Sequence, residues 1–217
     1  MGASAIIRFC LALALATAAV KADGAHWSSG DYVDSYFRYY NGHAPLPHLR
    51  DEKSKALFNH LIDPGSIASI EESSVPDTEK LRQLRIILSV LGSYRAAYNA
   101  AIIVGEPLAE ELTEVQVYNL EVTGAVADLM RISPDGDGSA PAWATLVEGV
   151  IEEVGNTQRY SPEQSNLMAD AIAKYYPAIA AALPEDERRR IRDQVLKLGD
   201  TNSAALKQMK RVLLAAP

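Results

Sequence analysis

The chain has 217 residues, a formal net charge of −7 at neutral pH and one cysteine, Cys10. Because nucleic-acid binding begins with the neutralisation of phosphates by basic side chains, this acidic composition argues against a nucleic-acid partner. The length fits one domain that is stabilised by a hydrophobic core rather than by disulfides.

The first residues have the pattern of a secretory signal peptide. Arg8 is the only early charge, residues 9–20 are apolar, and small residues follow. We expect cleavage after Ala22, with Ala18 and Ala19 as alternative sites, and export to the periplasm or the extracellular space. The apolar run is too short to span a bilayer, which takes about 20 residues.

Residues 23–217 are predicted to form a single all-α domain. Apolar side chains recur every three or four positions, and no segment alternates with the two-residue period of a strand. The pattern predicts seven or eight helices, arranged as a bundle or as a stack of helical hairpins. The first helices are expected at 31–41 and 50–62, followed by a short helical piece at 67–72.

The centre of the sequence predicts a long antiparallel helical hairpin at about 77–132. Its first helix begins at Asp77 or Thr78, both suitable N-terminal caps, and ends at Gly105. Its second helix begins at Pro107, because proline is favoured at the first position of a helix. A connection as short as Gly-Glu-Pro requires the two helices to fold back on each other.

Residues 86–104 of this first long helix are apolar enough to suggest a membrane span. However, Arg95 lies at the centre, and an arginine there costs about 2.5 to 3.5 kcal/mol on insertion scales. We therefore predict a buried core helix and no membrane span. The apolar seam expected on this helix consists of Leu81, Leu84, Leu88, Leu91, Arg95, Tyr98 and Ile102.

Four more helices are predicted after the hairpin, at 141–154, 161–183, 184–198 and 202–216. The chain from Pro184 onward is basic, whereas the chain before it is acidic. The simplest consequence of this asymmetry is a contact between the C-terminal segment and the body of the protein.

Arg95 is the first candidate for a binding site. The hairpin geometry places it opposite Glu114, Tyr118 and Glu121, and Tyr98 follows it one helical turn later. Burying an unpaired arginine is expensive, so Arg95 should contact a carboxylate or a bound anion. An internal ion pair is the simpler expectation. The alternative is a polar ligand pocket formed by Arg95, Tyr98, Tyr118 and Glu121.

The aromatic residues of the first mature helix give a second candidate. In the segment WSSGDYVDSYFRYY, Trp27, Tyr36 and Tyr40 belong to an amphipathic surface suited to stacking on a sugar or binding a peptide. The same aromatic stripe would also attach an N-terminal helix to the bundle. That packing role is the simpler expectation.

The segment ISPDGDGSAPAW, residues 132–143, alternates aspartate and glycine as calcium-binding loops do. When Asp135, Asp137 and Gly138 are placed in the EF-hand register, Ala144 occupies the twelfth position, which requires a glutamate. Asp-Gly pairs also form tight turns without an ion. We therefore expect a turn here rather than a calcium site.

His43, His48 and His60 are the candidates for metal ligation or acid-base chemistry, but their spacing matches no zinc motif. The sequence also lacks the common nucleophile and phosphate-binding motifs. We predict no metal and no cofactor. The leading prediction is an exported, non-enzymatic module that binds a protein or a small polar ligand. The alternative is a helical enzyme that uses carboxylates with these histidines.

Overall fold

The computed structural model describes residues 26–132, 140–199 and 203–216. Within these ranges all regular structure is helical, and the predicted all-α fold is confirmed. Eight helices have ten residues or more and one is shorter. They are α1 (Ser29–Tyr40), α2 (Glu52–Leu61), α3 (Pro64–Glu71), α4 (Asp77–Ile103), α5 (Ala109–Ile132), α6 (Ala140–Val154), α7 (Pro162–Ala182), α8 (Glu185–Leu196) and α9 (Ala204–Ala215).

Two sequence features discussed above lie outside the described residues. They are the predicted signal peptide, residues 1–22, and the Asp-Gly segment at 133–139. Both therefore stay predictions. Helix α5 ends directly before the Asp-Gly segment and α6 begins directly after it.

Several helices begin at side chains that satisfy the free backbone amides of the first turn. The Ser28 hydroxyl caps α1, where the Asp31 carboxylate accepts a hydrogen bond from the Ser28 backbone in return. Ser161 and Gln164 form the same reciprocal pair at the start of α7. Asp51 caps α2. These capping residues explain why α1, α2 and α7 begin where they do. Helix α4 instead begins at Asp77, after Pro76 and with no side-chain cap, so the predicted capping by Asp77 or Thr78 is wrong.

The long hairpin predicted at 77–132 is present as α4 and α5. Helix α4 ends where Gly105 adopts a φ of 98°, a conformation that residues with a β-carbon rarely adopt. The amide of Glu106 then donates to the carbonyl of Ala101 at 3.0 Å, which closes the helix end. Helix α5 begins at Ala109, two residues after the predicted start at Pro107.

The buried face of α4 differs from the predicted seam. Ile87 and Tyr94 are fully buried, whereas Leu88 and Arg95, the expected seam positions, are only partly buried. Adjacent residues on a helix point about 100° apart. A wide apolar stripe can therefore include both Ile87 and Leu88, and in later turns both Tyr94 and Arg95. Helix α1 packs over Tyr94, and this contact decides which residue is buried.

Helix α5 lies at the centre of the bundle and packs extensively against α4 and α7. Gly124 permits the close approach to α7, because a β-carbon there would lie 3.3 Å from a ring carbon of Tyr175. Helix α4 has the length and composition of a membrane-spanning helix, yet it contacts α1, α3 and α5. The buried apolar residues form one core that extends from α1 to α9.

The basic C-terminal segment contacts the body of the protein, as its charge suggests. Arg190 of α8 forms an ion pair with Glu148 of α6. Gln194 donates to the carboxylate of Glu152 at 2.8 Å, one turn further along both helices. Helix α9 then packs on α7 and α8.

Candidate functional site

Helix α5 contains a stripe of buried polar residues within a mostly apolar sequence. Gln116, Asn119 and Thr123 are each at most 4% exposed. Their spacing of three and four residues places them on one face of the helix. The Thr123 hydroxyl donates to the Asn119 carbonyl at 2.7 Å, so its own donor requirement is met within the helix.

A cavity of about 400 Å³ lies beside this stripe, between α4, α5 and α6. Helices α4 and α6 both contact α5 but contact each other only sparsely, which leaves the space open. The volume falls within the range of small-molecule sites. The described residues that line the cavity include no acid; they are Arg85, Leu88, Ser89, Gly92, Arg95, Asn119, Thr123, Ala142, Trp143 and Leu146.

Arg95 lines this cavity as a partly buried cation. It forms no hydrogen bond and no ion pair with any residue in the described ranges, and in particular none with Glu114 or Glu121. Its Nη1 lies 3.9 Å from the position that a β-carbon on Gly149 would occupy, so the guanidinium reaches the face of α6. Arg85 already has an interaction partner, so Arg95 is the cation of the wall without a partner among the described residues.

Glu153 of α6 is the carboxylate whose charge Arg95 influences most directly. Burial raises the pKa of the Glu153 carboxyl, and hydrogen bonding from Gln116 and the charges of Arg159 and Arg95 partly offset that rise. The Gln116 amide donates to Glu153, while Arg159 donates to the Asn99 amide oxygen at 2.7 Å. Glu153 is thus held by Gln116 of α5 rather than by an ion pair with Arg95.

Two further polar groups in the cavity wall lack a partner. Asn119 is 4% exposed, and no described residue forms a hydrogen bond with its side-chain amide. Trp143 is equally buried, and its indole N–H likewise has no acceptor among the described residues. Buried side-chain polar atoms are bonded to protein or water in most cases. Among the residues that form this wall, Asn119 and Trp143 thus have an amide and an indole N–H without a partner in the described ranges.

The other residues proposed to share a pocket with Arg95 lie elsewhere. Tyr98 is fully buried and donates to the Pro47 carbonyl. Tyr118 donates to the Asp63 carbonyl at 2.9 Å, and burial raises the pKa of both phenols. Glu121 lies beside Tyr175, which packs on α5 from α7. The structure therefore brings Arg95 together with Asn119 and Trp143 instead.

The aromatic residues of the N-terminal segment mostly attach it to the bundle. Trp27 stacks on His60, with ring centroids 5.4 Å apart and planes 10° apart. Tyr36 meets the edge of Tyr94 with ring centroids 5.2 Å apart. Tyr40, by contrast, is 67% exposed. Of the three residues proposed for an aromatic recognition surface, only Tyr40 is largely exposed, and its ring stacks on Tyr36 with centroids 6.2 Å apart.

The four described histidines do not converge on one site. His26, a possible fourth ligand by sequence, contacts the Asp63 carboxylate at 2.6 Å. His48 approaches Asp51 at 3.3 Å, His60 lies against Trp27, and His43 is exposed in the loop after α1. No group of three histidine, cysteine or acidic residues that could hold a metal ion is found in the described part of the chain.

Asn119, Thr123 and Trp143 were missed in the sequence analysis. A signal for the first two was present, since polar residues at 116, 119 and 123 interrupt an apolar helix at helical spacing. Trp143 gave no signal, because an aromatic residue on an apolar helix face is an ordinary core residue.

No protein-family model matches this chain, and no curated protein and no solved structure matches it significantly.

Proposed function

We propose that the protein is a binding module that holds a small anionic ligand in the cavity between α4, α5 and α6. The main observation is that Arg95 and the buried amide of Asn119 line the same cavity without a partner in the described residues. An anion would supply acceptors to both groups. The predicted signal peptide would place this binding activity outside the cytoplasm.

The charge of the wall favours an anion over a neutral or cationic ligand. Arg95 lines the cavity as a cation without a partner among the described residues, and no carboxylate lines it in the described part of the chain. This positive patch lies in a protein of formal net charge −7, so it differs from the rest of the molecule. A concave, partly desolvated site concentrates such a field on the ligand.

The chemistry of Arg95 suits this role. A guanidinium presents paired N–H donors that match the two oxygens of a carboxylate or phosphate. Glu153 influences Arg95 through its charge but is not within ion-pair distance of it, and its carboxylate is bonded to Gln116. The paired donors of Arg95 are therefore available to an incoming anion.

Thermal unfolding of the purified protein with a panel of anions tests the proposal. The panel contains acetate, benzoate, phosphate and sulfate, with acetamide as a neutral reference. A ligand that binds only the folded state adds about 2.7 kcal/mol of stability at a hundredfold excess over its Kd. We expect at least one anion to raise the Tm of the wild type and of Arg82→Gln, but not that of Arg95→Gln.

Arg82 is the matched control, because it lies on α4 like Arg95 but forms a surface ion pair with Glu79. If every active anion raises the Tm of the two variants equally, binding does not use Arg95 and the proposed site is wrong. If no anion raises the Tm of the wild type, the proposed function is wrong.

A further inference from the structure

Resting on the proposed function, we infer that the ligand is an amphipathic monocarboxylate. Its carboxylate contacts Arg95 and Asn119, and its apolar body, about the size of one aromatic ring or a short alkyl chain, lies against Trp143, Leu88 and Leu146. The inference thus specifies one negative charge and an apolar remainder, where the proposed function specifies only an anion.

The distribution of the wall residues supports an amphipathic ligand. Helix α6 contributes only apolar side chains and the indole ring, from Ala142, Trp143 and Leu146. The available cation and the free amide come from α4 and α5. A ligand that was polar throughout would leave the α6 wall without a matching surface, and burial of apolar surface is favourable.

Arg95 and Trp143 line the same cavity from α4 and α6. The Arg95 guanidinium lies near Gly149, and Trp143 precedes Gly149 by six residues on α6. Six residues of helix correspond to about 9 Å. This axial separation is comparable to the length of a benzoate or a hexanoate anion, so we choose these two anions as probes.

Gly92 keeps the space beside α4 open for such a body. A β-carbon built on Gly92 meets no atom within 4 Å, and this residue lines the cavity. A β-carbon at 92 therefore fits without a close contact, and we expect a larger side chain there to extend into the cavity. This makes residue 92 a site at which the cavity can be filled while the fold is kept.

A single charge fits the electrostatics better than an inorganic dianion. Arg95 is the only cation in the wall that lacks a partner among the described residues, whereas Arg85 is already engaged. The Glu153 carboxylate acts on the same Arg95 and would repel a second negative charge. Phosphate and sulfate also lack an apolar surface to place against Trp143.

Isothermal titration with benzoate, hexanoate, acetate, benzamide and inorganic phosphate tests the inference. We expect benzoate or hexanoate to bind at least tenfold more tightly than acetate, benzamide or phosphate. Charge-assisted hydrogen bonds imply that Arg95→Gln weakens this binding roughly tenfold to a hundredfold. In a Trp27→Phe background, Trp143 is the remaining indole, and its fluorescence should change on binding.

Gly92→Leu should abolish binding of the best carboxylate without lowering the Tm of the protein. The control is Ala96→Leu, at an exposed position on the same helix, which should leave the Kd of that carboxylate unchanged. If phosphate binds as tightly as the best carboxylate and requires Arg95, the inference is overturned while the proposed function stands. If benzamide binds as tightly as benzoate, or if no probe binds, both are overturned. Retained binding in Gly92→Leu also overturns the inference.

Discussion

Tyr118 shows how a residue that resembles a ligand contact in the sequence can serve the fold instead. The Tyr118 hydroxyl donates its single proton in a hydrogen bond to the Asp63 carbonyl. The hydroxyl oxygens of Tyr32 and Tyr118 are 2.9 Å apart, so Tyr32 must be the donor and Tyr118 the acceptor between them. Burial raises the pKa of Tyr32 to about 12. Two buried phenols thus share one short chain of hydrogen bonds, and neither is free to bind a ligand.

Removal of this hydroxyl should destabilise the protein. Tyr118→Phe removes the 2.9 Å hydrogen bond of the buried Tyr32 hydroxyl and leaves it the weaker contacts with Ser66 and with the His60 carbonyl at 3.5 Å. Loss of a buried hydrogen bond of this kind costs about 1 to 3 kcal/mol. Tyr40→Phe, at an exposed phenol, should change the free energy of unfolding by less than about 0.5 kcal/mol. Urea denaturation followed by circular dichroism measures both. Equal effects would contradict the structural role of Tyr118.

Glu153 should make stability depend on pH. Burial holds the pKa of its carboxyl above the ordinary value of 4.5, so the folded state binds its proton more tightly than the unfolded state. Its contribution to stability is fully present below pH 4.5 and is lost as the pH rises through the raised pKa. Glu153→Gln should therefore raise the Tm at pH 7 and have little effect at pH 4.

The matched control is Glu152→Gln, which alters an exposed carboxylate on the same helix. Melting curves of both variants from pH 4 to pH 8 provide the comparison. A Glu153→Gln variant that is less stable than the wild type at pH 7 would mean that Arg95 and Arg159 need this carboxylate more than its burial costs.

At the scale of helices, local signals in the sequence predict where elements lie but not which residue of a wide stripe is buried. Apolar periodicity and glycine or proline breaks predict the hairpin of α4 and α5, and the structure agrees to within two residues. The choice between Tyr94 and Arg95 depends on where α1 packs, which is a tertiary contact. Such contacts override local pattern because they bury the larger surface.

The same limit applies to the candidate site. Arg95 stands out in the sequence because a cation interrupts an apolar helix. Its neighbours in the cavity come from α5 and from α6, which lies beyond the hairpin, so no local spacing links them. Helix capping, by contrast, depends on residues close in sequence. Ser28 is followed three positions later by Asp31, and Ser161 by Gln164, and this spacing indicates a reciprocal cap.

The end of α4 provides a test at this scale. Gly105→Ala forces a β-carbon into a φ of 98° and should cost about 1 to 2 kcal/mol. Gly30→Ala, in the first turn of α1 with no contact closer than 3.7 Å, should be neutral or stabilise the protein by up to about 1 kcal/mol. Thermal unfolding of the two variants gives the comparison. A Gly105→Ala variant as stable as the wild type would show that the turn relaxes at no cost.

At the scale of the whole molecule, the core and the charges connect the two ends of the chain. The N-terminal segment is attached through Trp27 and Tyr32, and the C-terminal helices are attached through Met209 and Leu213, which are fully buried. The Arg190 pair with Glu148 adds little on its own, because exposed ion pairs contribute about 0 to 1 kcal/mol. Continuous apolar packing therefore carries most of the connection.

A continuous core predicts one cooperative unfolding transition, and the two tryptophans of the chain can test this. Trp27 reports on the N-terminal contact with His60 and Tyr32, while Trp143 reports on α6 and the cavity. Each variant, Trp27→Phe or Trp143→Phe, retains one tryptophan. As urea is added, the fluorescence of that tryptophan should change over the same concentration range as the circular dichroism signal of the helices in the same variant. If the Trp27 signal is lost at a lower urea concentration, the N-terminal segment unfolds separately. In that case the cavity belongs to a smaller cooperative unit of α4 to α9.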